Sequence, residues 1–300
     1  MQEKRNFLID ASGVGKRLDI YLKEELMGYS RSFLQHLIAE GHVILNGKRA
    51  DKNTLLRNGD SVEIELLPPP GEQITPERIP VSVLHEDKSI LIIDKPAGMV
   101  VHPACGNYSG TLLQALMYRY PELKDWSGLT RPGLVHRLDK ETSGVIVVAR
   151  TPQAQNFLAR QFQEKKVKKR YLALVEGHMH NREGTVDAPL YRDPADRKRF
   201  TVLPYKDLAR ESKTLYEVRG YVGGFTLLDV TPLTGRTHQI RVHLAHIGFP
   251  IAGDAVYGKR GIFPRQMLHA RQISFIHPDT LEEVTFEAPL PEDFKKALEE

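Results

Sequence analysis

Cysteine is nearly absent from this 300-residue chain: Cys105 is the only one. That excludes an intrachain disulfide and any cysteine-rich zinc site, and it fits a reducing cytoplasm, the expected compartment. No uninterrupted apolar stretch approaches the roughly 18 residues of a membrane span. The charged start, Met1-Gln-Glu-Lys-Arg5, leads only into Phe7-Leu-Ile9, too short a core for a signal peptide, so neither a targeting segment nor a membrane partner is expected. Charge of one sign is scarce as well, since 42 Lys and Arg against 38 Asp and Glu leave +4. A polyanion partner therefore has to be argued from where the cations lie. Several catalytic signatures are missing too. Gly13-Val-Gly15-Lys16 lacks the spacer and the Ser or Thr of a phosphate loop, and no third glycine completes a dinucleotide fingerprint, so no nucleotide cofactor is expected. His238, His243 and His246 lie close together, but no His-Glu-x-x-His is present and the neighbouring Arg236 and Arg241 would repel a cation, so no metal is expected. No Gly-x-Ser-x-Gly elbow occurs, and Cys105 follows Pro-Ala without an identifiable activating base.

What is present reads as a globular chain of two domains, with 41% hydrophobic and 27% charged residues. Residues 14–66 form a small unit. Leu18, Tyr21, Leu22 and Leu26 follow helical spacing, and Ser30 is placed to cap a second helix carrying Phe33, Leu34, Leu37 and Ile38 and ended by Gly41. Val43 and Leu45 alternate into Asn46-Gly47, a type I′ hairpin pair, and Val62, Ile64 and Leu66 form a last alternating strand. Arg31, Lys48 and Arg49 are candidates for a shared edge that grips phosphates. The order Arg17-Leu-Asp, Ser30-Arg31 and Val43-Ile-Leu-Asn-Gly-Lys48 resembles the S-four RNA-binding domain, a small α/β module.

A linker over 67–80 follows, opening on Leu67-Pro-Pro-Pro-Gly71, whose prolines favour an extended spacer without hydrogen-bonded structure. From residue 81 to 300 the chain reads as short strands with a few helices and no regular βαβ alternation, which indicates a mixed α+β domain. Val81–His85 and Ile90–Asp94 pair as a hairpin, Val100–His102 resumes extended structure, and Thr111 to Tyr118 suits a buried helix. Thr151-Pro152 starts another helix, with proline at the first helical position. Lys165, Lys166, Lys168, Lys169 and Arg170 cluster just ahead of an apolar strand, Tyr171-Leu-Ala-Leu-Val175, which holds them in place as phosphate-binding candidates. Arg197-Lys198-Arg199 makes a second basic loop.

Two stretches concentrate chemistry. Gly133-Leu-Val-His136-Arg137-Leu-Asp139-Lys-Glu-Thr-Ser-Gly144 is an irregular loop feeding the β-branched run Val145–Ala149, so its side chains rest on a rigid strand. Locally, Asp139 also suits a turn or cap. Leu233-Thr-Gly-Arg236-Thr-His-Gln-Ile-Arg241-Val-His243 reads as a turn at Gly235 and a helix start with Thr234 or Thr237 as cap. Arg236 and Arg241 are five apart and need not share a face, so one can meet a phosphate while the other points inward.

These two stretches, with Lys169-Arg-Tyr171-Leu-Ala-Leu-Val-Glu-Gly177 between them and Ala252-Gly-Asp-Ala-Val-Tyr-Gly258 and Leu268-His-Ala-Arg271 after them, resemble the blocks of the RluA/RluD-type pseudouridine synthases. The likeness spans about 85–290 and implies a largely antiparallel pseudouridine synthase fold. It implies that uridine in structured RNA becomes pseudouridine without a cofactor, the substrate being ribosomal RNA or a ribosomal subunit precursor ahead of transfer RNA. Asp139 matches the family's catalytic aspartate, and an ionised carboxylate there can attack C1′ or remove the C2′ proton. Tyr171 matches the tyrosine beside the base, Arg241 the basic partner of the aspartate, Leu268 an apolar residue against the nucleotide, and Arg137 the residue that fills the gap left by a flipped base. His136 and Arg236 join the expected RNA-facing set. Two other readings compete. A non-catalytic RNA-binding assembly factor would leave Asp139 dispensable, and a glycoside hydrolase would need a second positioned carboxylate that Glu141, two residues along, does not supply.

Overall fold

A computed structural model of the chain describes residues 3–26, 29, 31–66, 74–104, 107–126, 131–194, 196, 199–202, 209–259, 261 and 263–299. They divide into a smaller compact unit running through Thr75 and a larger one built mainly from Pro76 onward. Ser30, the prolines of 67–73, Cys105, Arg197 and Lys198 lie outside the described residues.

In the smaller unit, strands β1 (Glu3–Leu8), β2 (Val43–Leu45), β3 (Lys48–Arg49) and β4 (Ser61–Leu66) form a sheet in the order β1-β4-β2-β3, beside helices α1 (Leu18–Glu25) and α2 (Arg31–Glu40). Leu18, Leu22, Leu34, Leu37, Val43, Val62 and Ile64 fill its core. Asn46 and Gly47 both take positive φ, 50° and 74°, as the hairpin turn between β2 and β3 requires. Strand β1 lies ahead of residue 14, where the sequence suggests that the unit begins. It is an edge strand in which Phe7 is half-buried while Lys4, Arg5, Asn6 and Leu8 are exposed, so it carries almost no hydrophobic alternation to read.

The larger unit is organised on a nine-stranded sheet. Its elements in chain order are β5 (Ser82–Glu86), β6 (Ile90–Lys95), α3 (Leu112–Arg119), β7 (Ser143–Ala149), α4 (Pro152–Gln163), β8 (Lys168–Glu176) and β9 (Glu183–Asp187). Then come β10 (Leu190–Arg192), β11 (Phe200–Val202), β12 (Lys213–Val222), β13 (Phe225–Pro232), α5 (Gln239–His246), β14 (Leu268–Ile276), β15 (Glu283–Glu287) and α6 (Glu292–Ala297). The sheet runs β5-β6-β7-β14-β8-β13-β12-β9, with β15 added to β14, while β10 and β11 pair separately. Every pairing in it is antiparallel except β7 with β14. The mixed, largely antiparallel α+β architecture expected from the sequence is the one observed.

Local chemistry explains the elements. All seven residues of β7 are buried, as a strand covered on both faces must be. Thr111 and Gln114 close a reciprocal capping box at the start of α3, and Thr151 caps α4 with Pro152 at its first position. Val100–His102 is not a strand. The carbonyls of Val100 and Val101 instead accept from the amides of Leu112 and Leu113, donors that the first turn of α3 cannot satisfy internally. Nor is the whole of 67–80 free spacer. Glu77 accepts from the Gly110 amide and from Gln114 Nε2, and its own amide donates to the Gln114 carbonyl.

Candidate active site

The middle of the sheet and the segments beside it set four of the expected residues around one cavity of about 440 Å³. Neighbouring strands β8 and β14 pair Tyr171 with Ala270 and Ala173 with Leu268, so Tyr171 and Leu268 come from adjacent strands. Asp139 stands in the loop that enters β7, on the other side of β14. Arg241 arrives from α5, which packs against β12 and β13. All four line the cavity.

The loop bearing Asp139 is fastened from several directions. The Ala149 amide donates to the Gly133 carbonyl, and Gln155 of α4 accepts from the Gly133 amide. The Val147 amide donates to His136 Nε2 at 3.0 Å, and the His136 ring stacks on Phe162. Lys95, fully buried, directs its ammonium to the carbonyls of Pro96, Met99 and Lys140, and burial pushes it down to about 7. Arg265 holds the Glu141 carbonyl while it pairs with Asp293, and Gln266 donates to the Thr142 hydroxyl. Gly144 is needed where loop becomes strand. Its φ is +115°, and a Cβ there would run into the Ala270 carbonyl of β14.

Asp139 is about one-fifth exposed, and its Oδ2 accepts from Arg241 Nη1 at 3.0 Å. The rest of the guanidinium meets Asp254: Nε donates to Oδ2 at 2.7 Å and Nη2 to Oδ1 at 2.9 Å. Asp254 also accepts from the amides of Val256 and Tyr257. Burial works against the guanidinium charge, but the hydrogen bond and charge of Asp254, aided by Asp139, leave its pKa raised. Burial would likewise raise Asp254, and Arg241 with the two amides turns that into a lowering. A cation fixed by a bidentate bond to a buried partner thus orients Asp139, an arrangement that only arginine provides.

The other walls differ in character. Burial, helped by the charge of Asp139, pushes the Tyr171 phenol well above its ordinary range, so it is protonated at neutral pH. His238 lies 3.9 Å from Asp139 Oδ2 and shares a 2.8 Å hydrogen bond with Tyr257; burial lowers its pKa, partly opposed by Asp139. Lys169 points inward beside Thr234, and burial alone lowers it to about 8. Arg137 is exposed and Arg236 half-buried, and both line the cavity with Lys165.

The remaining expected residues have neighbours of their own, and two local readings change: the cap of α5 and the start of β8. His136 lines the cavity and also braces the loop: burial, with Lys169 nearby, lowers it to about 3, and its Nε2 is engaged by the Val147 amide. The cap of α5 is neither Thr234 nor Thr237. It is His238 with φ 58°, while Thr234 donates its hydroxyl to Gln239 Oε1, an oxygen that also accepts from the Arg236 amide. Lys168, Lys169 and Arg170 belong to strand β8 and do not precede it. Lys168 pairs with Glu283, Lys166 with Glu164, and Arg170 approaches Asp229 at 3.9 Å. In the smaller unit Arg31 pairs with Asp19, and Arg49 donates to the Glu40 carbonyl at the end of α2; Lys48 is exposed beside it on edge strand β3. His243, weighed above as a metal ligand, is instead held between Thr214 and the Ala188 carbonyl. Asp254 and Tyr257 have no role that the sequence alone assigns. The only signal is their block, Ala252-Gly-Asp-Ala-Val-Tyr-Gly258.

The family model described as RNA pseudouridylate synthase matches residues 89–246, which include Asp139, Tyr171 and Arg241, and the S4 domain model matches 16–62. The chain belongs to the RNA pseudouridylate synthase family. This synthase is 41% identical to a ribosomal large subunit pseudouridine synthase D of Xanthomonas campestris, over 98% of this chain and 91% of the relative. It is 42% identical to an uncharacterized RNA pseudouridine synthase of Aquifex aeolicus, over 94% and 93%. Among solved structures it is similar to human RNA pseudouridylate synthase domain containing 1. That likeness has a TM-score of 0.59 at 28% identity and covers 72% of this chain and 85% of the other. The synthase is therefore an isomerase acting on uridine in RNA, and the reading as a mere assembly factor is not favoured.

Proposed function

We propose that the synthase acts on large-subunit ribosomal RNA and that Asp139 is the carboxylate that acts on the sugar of a flipped uridine. The observation that carries this is the Asp254–Arg241–Asp139 chain, which ends on a single carboxylate at the wall of a nucleoside-sized cavity. The choice of RNA rests on relatives named as ribosomal large subunit synthases across nearly the whole chain. No atoms are gained or lost: the N1–C1′ bond breaks, uracil turns, C5 bonds to C1′, the C5 proton leaves and N1 takes one up. Tyr171 and Leu268 give the uracil an aromatic and an apolar surface to lie on. The protonated phenol suits stacking and the relay of a proton better than a free phenolate. A uridine must leave its stack, at a cost of a few kcal/mol, before Asp139 can reach the sugar. Arg137, exposed at the cavity, is positioned to occupy the vacated space.

The RNA assignment is tested by mapping pseudouridine in ribosomal RNA from cells with and without the gene, using carbodiimide-dependent reverse-transcription stops. Loss of one or more stops in large-subunit RNA is expected. Loss confined to transfer RNA would move the substrate and leave the chemistry in place.

A further inference from the structure

The basic run 165–170 does not act as one patch. Strand alternation turns Lys169 and Tyr171 to one face of β8 and Lys168 and Arg170 to the other. Lys168 and Lys166 have carboxylate partners, and Arg170 approaches one. Lys169 has none among the described residues: its ammonium meets only the Thr234 carbonyl, at 3.3 Å. It is half-buried, and a Cβ at Gly235 would lie 3.8 Å from its Nζ. A desolvated cation without a counter-ion is costly. Two of its three N–H donors are left for something that enters the cavity it lines, the cavity that also holds Asp139.

We infer that Lys169 is a further catalytic residue: its ammonium meets the uracil of the flipped nucleotide and balances the charge the ring gains as the N1–C1′ bond breaks. This rests on the proposed site. The bonding pair leaves with N1 and spreads over N1, O2 and O4; it returns through C5 as the new bond to C1′ forms. A fixed cation at that ring stabilises the intermediate more than the neutral base, which is the condition for raising the rate. Lys165 is exposed where Lys169 is not, which suits contact with the RNA backbone.

The test uses the full-length protein in excess over a ribosomal RNA transcript carrying 5-tritiated uridine, comparing wild type with Lys169→Met and Lys169→Arg. The saturated rate of Lys169→Met should fall by ~10²–10³-fold, the scale of losing one donor to a developing anion. RNA affinity and its salt dependence should stay within about twofold, because the substitution leaves every neutralised phosphate as it was. Lys169→Arg should recover part of the rate. On a transcript with 5-fluorouridine, read as rearranged nucleoside after digestion, the Lys169→Met defect should shrink, because fluorine stabilises the same charge. Where the methionine variant melts early, Lys169→Gln keeps a donor for Thr234 without the charge and gives the same comparison. An unchanged saturated rate with weakened, less salt-dependent binding would make Lys169 a backbone-binding residue and overturn the inference. An equal defect on both transcripts would reduce it to a structural residue. No tritium release even by the wild type would overturn the parent assignment along with it.

Discussion

Arg241 divides its donors between two carboxylates with different environments. Asp254 is fully buried, whereas Asp139 is about one-fifth exposed and lines the cavity. The first fixes the guanidinium, and the guanidinium in turn fixes the second. Arg241→Lys should therefore lower the single-turnover rate by ~10²-fold or more, because a lysine cannot hold both carboxylates in one plane and the sugar-facing oxygen loses its direction. With Asp139 as the only partner, which is all the sequence suggests, stability would change little. The buried Asp254 changes that, and a loss of about 2 kcal/mol in denaturant unfolding is expected, the scale of hydrogen bonds to charged groups. Activity within twofold of wild type would mean Arg241 does not position Asp139. Asp139 and Arg241 are legible because they sit in long, distinctive stretches. Asp254 is not, since a single Asp after Gly253 looks like an ordinary turn residue until the arginine it faces is known.

At the scale of elements, periodicity works where one face is buried and fails where hydrogen bonds set the conformation. The capped starts of α3 and α4 and the β5–β6 hairpin are readable. The left-handed His238 at the start of α5 is not, because Gln239 bonds Thr234 and the Arg236 amide across the turn and removes the usual cap. In the smaller unit, α1 and α2 meet over Asp19, which is fully buried. Burial raises its pKa, but hydrogen bonds from Gln35, Arg17 and Arg31 outweigh that and hold it at about 2. A lowered carboxylate contributes its stability above the unfolded value of 3.8 and loses it as pH falls towards 2. The shift corresponds to about 2 kcal/mol. Asp19→Asn should then speed hydrogen exchange of the α1 and α2 amides by ~30-fold at pH 7, and the difference should narrow between pH 4 and pH 2. An undiminished difference at pH 2 would show that shape, not charge, is what Asp19 supplies.

For the molecule as a whole, the residues set around the cavity all belong to the larger unit, while the S4 match lies in the smaller one. A fragment beginning at Pro76 keeps Glu77 and its bonds to Gly110 and Gln114. It should fold and keep its saturated single-turnover rate. Its RNA affinity should drop, and log K should fall less steeply with log salt, by roughly 0.7–0.9 for each phosphate that is no longer neutralised. Equal affinity with an equal salt slope would leave the smaller unit no part in binding. A collapsed rate in a folded fragment would mean that it helps to build the site.

The central claim is that one carboxylate, Asp139, carries the reaction on the sugar. It is tested most directly by tritium release from 5-tritiated uridine in ribosomal RNA, comparing wild type with Asp139→Asn. Asparagine keeps the shape and a hydrogen-bond acceptor for Arg241 but loses the negative charge. Release is expected to fall by several powers of ten while RNA affinity stays within a few-fold. Release close to wild type would contradict the account.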